Sequence, residues 1–411
     1  MRAYERLLRY VKISTTSSET SGTHPSTKEQ FALAHALADE MRAIGLCDVR
    51  VDERCYVYGF LPASAGYENR VCLGLIAHMD TSPDARGENV SPVVHENYDG
   101  GEIALRDGVK ISPDMFPHLA RLKGRTIITS DGTTLLGADD KAGVAEIMTA
   151  IERTVRENIP HGRLAVAFTP DEEIGEGADF FDVAGFGADF AYTVDGGEEG
   201  SLEYENFNAA SAKFEITGLS VHPGSSKNIM INASLVACEI NAMLPAAEIP
   251  ARTEGYEGFY HLTDMRGEVE RAAIAYIVRD HDAARFDARL DTLRHIEKTL
   301  NERYGDGTVR LTIREEYRNM KEKIAPCMHL VENAIAAARA AGTTATVEPI
   351  RGGTDGARLS YMGLPCPNLG TGGFAFHGPM EHISAEGMDT EVDILLRLIR
   401  IYAKEEAPAA R

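Results

Sequence analysis

The chain has 411 residues, 44% of them hydrophobic and 26% charged, a balance that suits folded domains and excludes a disordered polymer. That length exceeds one ordinary core and implies two domains. A net charge of −21 excludes, as leading readings, a nucleic-acid or anionic-membrane surface, since either needs clustered Lys and Arg.

A first helix is predicted from Ser26, with Glu29 completing a capping box, an apolar stripe from Phe31 to Ile44, and Gly45 as its stop. The continuous apolar run 71–77 ends in His78, as a buried parallel strand would. Runs 164–168 and 190–194 repeat the pattern and end at Asp171-Glu172-Glu173 and at Asp195. An amphipathic helix over 141–156 lies between His78 and the second of these strands. Alternating strands and helices imply a wound α/β layer, in which ligands collect at the carboxyl ends of strands.

After Asn206 the pattern changes. A half-exposed strand at 211–218, a helix at 231–244, strands at 258–265 and 268–279, a charged helix at 284–304 and a strand at 308–316 follow in turn. This β-α-β-β-α-β order is that of a ferredoxin-like unit. Residues 208–318 are therefore expected to form an inserted domain, with 1–207 and 319–411 forming a discontinuous first domain. A helix at 328–341, His377 and a C-terminal helix complete the first domain, and the tail 405–411 is expected to fray.

The six cysteines are widely spaced with no Cys-x-x-Cys pair, so reduced thiols are expected instead of disulfides or a thiolate zinc site. No run approaches the roughly 18 to 20 apolar residues of a membrane span. The N-terminus lacks a signal-like apolar region, and a cytoplasmic protein is expected.

Five segments carry chemistry: Ala-His78-Met-Asp80, Asp139-Asp140-Lys141, Asp171-Glu172-Glu173, Asp195-Gly-Gly and Phe-His377-Gly. Their residue types suit divalent metals, which take His nitrogen and carboxylate oxygen. His78 is a natural first ligand, and Asp80 could fix its tautomer. Asp139 and Asp140 open a helix, where capping alone would explain them, yet a carboxylate there can bridge two cations, with Gly137 and Gly143 keeping the approach open. Glu172 and Glu173, on extended backbone, would point in opposite directions, so that one can ligate while the other serves as a base. Taken singly, each segment also suits a turn, a cap or a solvated loop.

Together, in this order, the segments resemble the dinuclear zinc aminoacylase and carboxypeptidase-like amidohydrolases, a superfamily that also carries an inserted ferredoxin-like lid. Longer strings resemble the peptidase T family of bacterial tripeptide aminopeptidases. They are Leu75 to Asp84, Leu136 to Met148, Thr169 to Gly175, Tyr192 to Gly197, Glu205 to Ser211, Thr253 to Leu262 and Pro349 to Ala357. The resemblance covers essentially the whole chain. It implies an α/β, zinc-peptidase-like mixed-sheet catalytic domain with a βαββαβ lid. It implies that His78, Asp139 and Asp195 hold one zinc ion, and that Asp139, Glu173 and His377 hold the other. Asp139 would bridge, Glu172 would be the general base, and Asp80 would orient His78.

The implied activity is release of the N-terminal residue from tripeptides, with two divalent ions, Zn2+ foremost, though Mn and Co suit the same ligands. His222, in Ser220-Val-His-Pro-Gly224, is either an oxyanion donor from the lid or a loop histidine beside a turn. Arg279 and Arg351 would suit either a substrate carboxylate or a salt bridge. A homodimer through the lid is compatible with the sequence. The competing readings are a related amidohydrolase acting on dipeptides, acyl-amino acids or peptide C-termini, and a non-catalytic binder that keeps the scaffold.

Overall fold

The computed structural model describes residues 1–408, which form two compact units. The first comprises Met1–Tyr204, Glu322–Glu348 and the chain from Thr354 onward; the second comprises Glu205–Lys321 with Pro349–Gly353.

In the first unit the apolar runs become the centre of a mixed sheet. Its strand order is Cys47–Val51, Val57–Leu61, Leu164–Thr169, Leu73–His78, Phe190–Val194, Asn368–Leu369, Ser201–Glu203 and Thr346–Val347. Leu73–His78 pairs in parallel with both Leu164–Thr169 and Phe190–Val194, and every residue of these three strands is buried. Burial on both faces is why they read as unbroken apolar runs rather than as alternation.

Register does the positioning. His78 lies opposite Thr169, and Ile76 lies opposite Thr193, so the residues just past each strand emerge at one edge of the sheet. The helix Ala138–Arg156 packs against this sheet with Ala142, Val144, Ile147, Met148 and Ile151 buried. A Cβ on Gly143 would lie 1.9 Å from the Val194 carbonyl oxygen, so this glycine permits helix and strand to touch rather than opening an approach.

A smaller antiparallel sheet joins Gly373–Phe374, His382–Ser384, Ile127–Thr129 and Val93–His95. It fixes both ends of the turn that carries His377, where Ala375 and His377 adopt positive φ of 55° and 62°.

Two local expectations are corrected. The first long helix runs Gln30–Ile44 without a side-chain cap, because the Ser26 hydroxyl donates to Asp171 and also accepts from the Ser18 amide. The segment 405–407 does not fray: Val71 N–H donates to the Glu405 carbonyl, and Ala407 N–H to that of Asn69. Residues 409–411 lie outside the described residues.

The second unit is a four-stranded antiparallel sheet ordered Phe259–Gly267, Arg271–Asp280, Asn208–Thr217 and Val309–Tyr317, with helices Ala233–Met243 and Ala283–Tyr304. Ala212, Phe214 and Ile216 point into a core with Val236, Ile240, Phe286, Leu290 and Leu293, while Lys213, Glu215 and Thr217 are exposed. Burying each large apolar side chain contributes about 1.5–3 kcal/mol. Asn232 and Asp282 cap the two helices by accepting from Leu235 and Arg285 amides.

Among the described residues no helix is long and apolar enough to cross a membrane, and all six cysteines are free thiols.

Candidate metal centre

At the shared strand edge, His78 Nε2 lies 3.1 Å from Asp139 Oδ1 and 3.5 Å from Asp195 Oδ1. His377 Nε2 lies 3.4 Å from the other Asp139 oxygen, Oδ2, and 3.0 Å from Glu173 Oε2. One carboxylate thus faces two imidazoles, each accompanied by one further carboxylate. The five residues come from three strand ends, one helix start and one turn.

Asp139 sits inside the first turn of Ala138–Arg156 with non-helical dihedrals, φ −83° and ψ 105°, and a cis peptide joins it to Asp140. Asp140 is buried, and both of its oxygens accept backbone N–H groups, from His78 at 3.1 Å and from Gly143 at 3.2 Å. Donor atoms of His78, Asp140 and Asp195 also lie within 4.8 Å of one another, as do those of His78, Asp139 and Glu173. Both Asp140 oxygens are thus engaged by backbone amides, whereas those of Asp139 face the two imidazoles.

Glu172 and Glu173 stand on a tight 3-10 turn, Glu172–Ile174, not on extended backbone. Asp171 turns the chain at φ 57°, and the Asp80 carboxylate accepts the Glu172 amide at 3.0 Å and the Glu173 amide at 3.2 Å. Asp80 therefore holds the turn as well as approaching His78 Nδ1, which is 3.4 Å from its Oδ1 and 3.1 Å from its carbonyl oxygen.

The electrostatics follow from crowding carboxylates into a poorly solvated site. Burial and the negative charges of Asp195, Asp355 and Glu173 push Glu172 well above the ordinary 4.5, despite the opposing charge of His78. Burial raises Glu173 to about 7. Asp139 goes the other way: burial opposes it, but hydrogen bonds from His377 and His78 hold it well below 3.8. Hydrogen bonds to Asp139 and Glu173 raise His377 to about 11. His78 is also raised, since Asp195 and Asp139 outweigh its burial. The carboxylates demand positive charge at the points where the imidazoles converge. Glu173 Oε1 is buried with no hydrogen-bond partner. Two imidazoles, three carboxylates and an unsatisfied buried oxygen fit divalent cations.

Several further carboxylates brace the site without having been assigned a role from the sequence. Asp84 Oδ2 lies 3.2 Å from His377 Nδ1 and can fix that ring. Asp355 is buried, and burial raises it to about 7; a Cβ on Gly177 would come within 2.4 Å of its oxygens. Asp171 accepts from the Ser26 amide and hydroxyl and from Gln30 Nε2, which anchors the glutamate turn from behind. Glu381 accepts three amides around Asp139. Asp84 and Asp355 fall within the longer strings, whereas Glu381 only follows His377 in an acidic-histidine pair.

In the second unit, Arg279 bonds Glu316 Oε2 at 3.1 Å and the Ala210 and Val278 carbonyls. Arg351 bonds the carbonyls of Thr253, Gly255 and Glu257 and stacks on Phe207 and Phe259. Arg279 thus forms an ion pair with Glu316, and Arg351 braces the 253–257 loop. His222 is exposed, with Nδ1 accepting the Gly224 amide.

Residues 131–401 match the model of peptidase family M20/M25/M40. The chain belongs to this family. M20 relatives named peptidase T are similar over nearly its full length. That of Clostridium perfringens is 54% identical over 98% of this chain and 100% of its own, and that of Alkaliphilus oremlandii 51% over 97% and 99%. The fold is shared with the aminopeptidase PepT of Bacillus cereus, at 22% identity and a TM-score of 0.78 over 98% of both chains. It is shared also with a dinuclear metal-binding M20 peptidase of Bacillus subtilis, at 14% identity and a TM-score of 0.67 over 97% of both chains. This M20 chain is therefore a peptidase with a mixed α/β fold and a donor set suited to metal ions.

Proposed function

We propose that this chain is a dinuclear metallo-aminopeptidase that releases the N-terminal residue from short peptides, tripeptides foremost. The observation that carries the reading is the division of the Asp139 oxygens between His78 and His377, each with its own additional carboxylate. His78, Asp139 and Asp195 would hold one ion, and Asp139, Glu173 and His377 the other. Zinc is the proposed metal, given imidazole and carboxylate donors. Two such ions supply an acidified water and a polarised scissile carbonyl.

The chain's own residues do the rest. Glu172, raised by burial and held in place through its backbone by Asp80, takes the proton from the attacking water and returns it to the leaving amine. Asp80 and Asp84 orient His78 and His377. The tripeptide preference draws support from the relatives named peptidase T. A cytoplasmic setting belongs to the same reading and accords with the free thiols.

The zinc-reconstituted protein should release leucine from Leu-Gly-Gly faster than from Leu-Gly or a tetrapeptide, and should leave N-acetyl-Leu-Gly-Gly intact. Cleavage of the acetylated peptide would exclude aminopeptidase action, and equal rates on all lengths would exclude the tripeptide preference.

A further inference from the structure

Glu381 lies four residues beyond His377 and is 1% exposed. Its Oε2 accepts the amides of Leu136 at 2.7 Å and Gly137 at 2.8 Å, and its Oε1 accepts that of Asp139 at 3.0 Å. These are amides at the start of Ala138–Arg156, where no earlier helical turn can satisfy them. Gly137 is left-handed, at φ 80°, and Asp139 departs from helical dihedrals, so this turn depends on an outside acceptor for its shape.

The same carboxylate belongs to the strand side of the His377 turn. Glu381 N–H donates to the Gly378 carbonyl, and the next residue, His382, pairs with Thr129 in the small sheet. His382 is buried, and its Nδ1 lies 2.7 Å from the Met380 carbonyl oxygen. On the other side, buried Lys141 donates to the Ile13 carbonyl, and burial lowers it to about 7 against the opposing charge of Glu381. Glu381 therefore ties two segments 242 residues apart in sequence, one bearing Asp139 and the other His377.

We infer that Glu381 is a positioning residue that locks the His377 turn to the Asp139 turn and so sets the spacing of the ligands for the second cation. The inference rests on the metal-centre reading above. A cap that served only stability would lower the melting temperature and leave the metal affinity of the folded protein unchanged. A positioning residue changes that affinity as well.

The test compares wild type, E381Q and a variant with one glycine inserted after Gly378. Zinc affinity is measured by competition with a chromophoric chelator, alongside thermal unfolding and separate kcat and KM values. Gln keeps the volume but offers one acceptor oxygen and turns N–H donors toward amides. The insertion keeps Glu381 and its three bonds but lengthens the span to His377. Each variant should bind the second zinc about tenfold or more weaker, E381Q also weakening the first because Asp139 is shared, with kcat reduced, KM little changed, and activity recovering in excess zinc.

Wild-type affinity for both ions in either folded variant overturns the inference. If E381Q does not fold, the insertion variant decides alone. A wild type that binds fewer than two ions overturns the metal-centre reading and this inference with it. A wild type with two ions and variants that match it overturns the inference only.

Discussion

Asp139 divides its oxygens between His78 and His377, whereas Asp140 gives both of its oxygens to the backbone amides of His78 and Gly143. The two neighbours should respond differently to the same change. Asp139→Asn should weaken binding of both ions, since Asp139 is assigned to each, and cut turnover severely. Asp140→Asn should retain both ions but lose about 1–3 kcal/mol of stability, because one buried amide would face an N–H donor. Metal content and denaturant unfolding of the two variants would check this, and equal metal loss in both would contradict the assignment. The sequence favoured the first aspartate only through resemblance; the backbone bonds that occupy the second are tertiary and leave no local trace. The glutamate pair teaches the same lesson. Side-chain type marked Glu172 and Glu173 as special, but their separation comes from a tight turn held by Asp80 and Asp171, not from strand alternation.

At the scale of elements, the helix Ala138–Arg156 must touch the Phe190–Val194 strand for Asp139 and Asp195 to meet. Gly143→Ala places a Cβ 1.9 Å from the Val194 carbonyl oxygen and 2.5 Å from Asp140 Oδ1. Overpacking of this kind costs about 1–3 kcal/mol or more, and the displaced helix start should also weaken zinc binding. A Tm and zinc affinity equal to wild type would show that the contact is not needed.

The small sheet has its own titration signature. His118 Nε2 and His382 Nε2 lie 2.8 Å apart, one donating and the other accepting while both rings are neutral. Burial lowers both to about 4, from an ordinary 6.5. The unfolded chain therefore takes up protons first as pH falls, and the stability present above pH 6.5 declines through the interval down to about 4. Thermal unfolding of wild type between pH 6.5 and 4.5 should fall more steeply than that of His118→Gln, and parallel slopes would contradict the pairing. This sheet escaped the sequence reading because its strands are two or three residues long, too short to show a period.

For the whole molecule, the long runs were legible because burial on both faces of a central sheet leaves only apolar residues, and the second unit because its first strand, Asn208–Thr217, alternates between core and solvent. What was illegible is contributed by residues that meet only in space: Asp84 with His377, Glu381 with Asp139, and Arg351 with the 253–257 loop. The net charge of −21 concentrates part of its cost at one strand edge, where Asp139, Glu172, Glu173, Asp195 and Asp355 converge on two imidazoles. Such crowding is reasonable when cations are bound there and one carboxylate is kept apart for proton transfer. The direct measurement is turnover of Leu-Gly-Gly by Glu172→Gln, with zinc content determined on the same sample. Two zinc ions per chain with kcat reduced by about 10²–10⁴ is the expected result. Two zinc ions with wild-type turnover would contradict it.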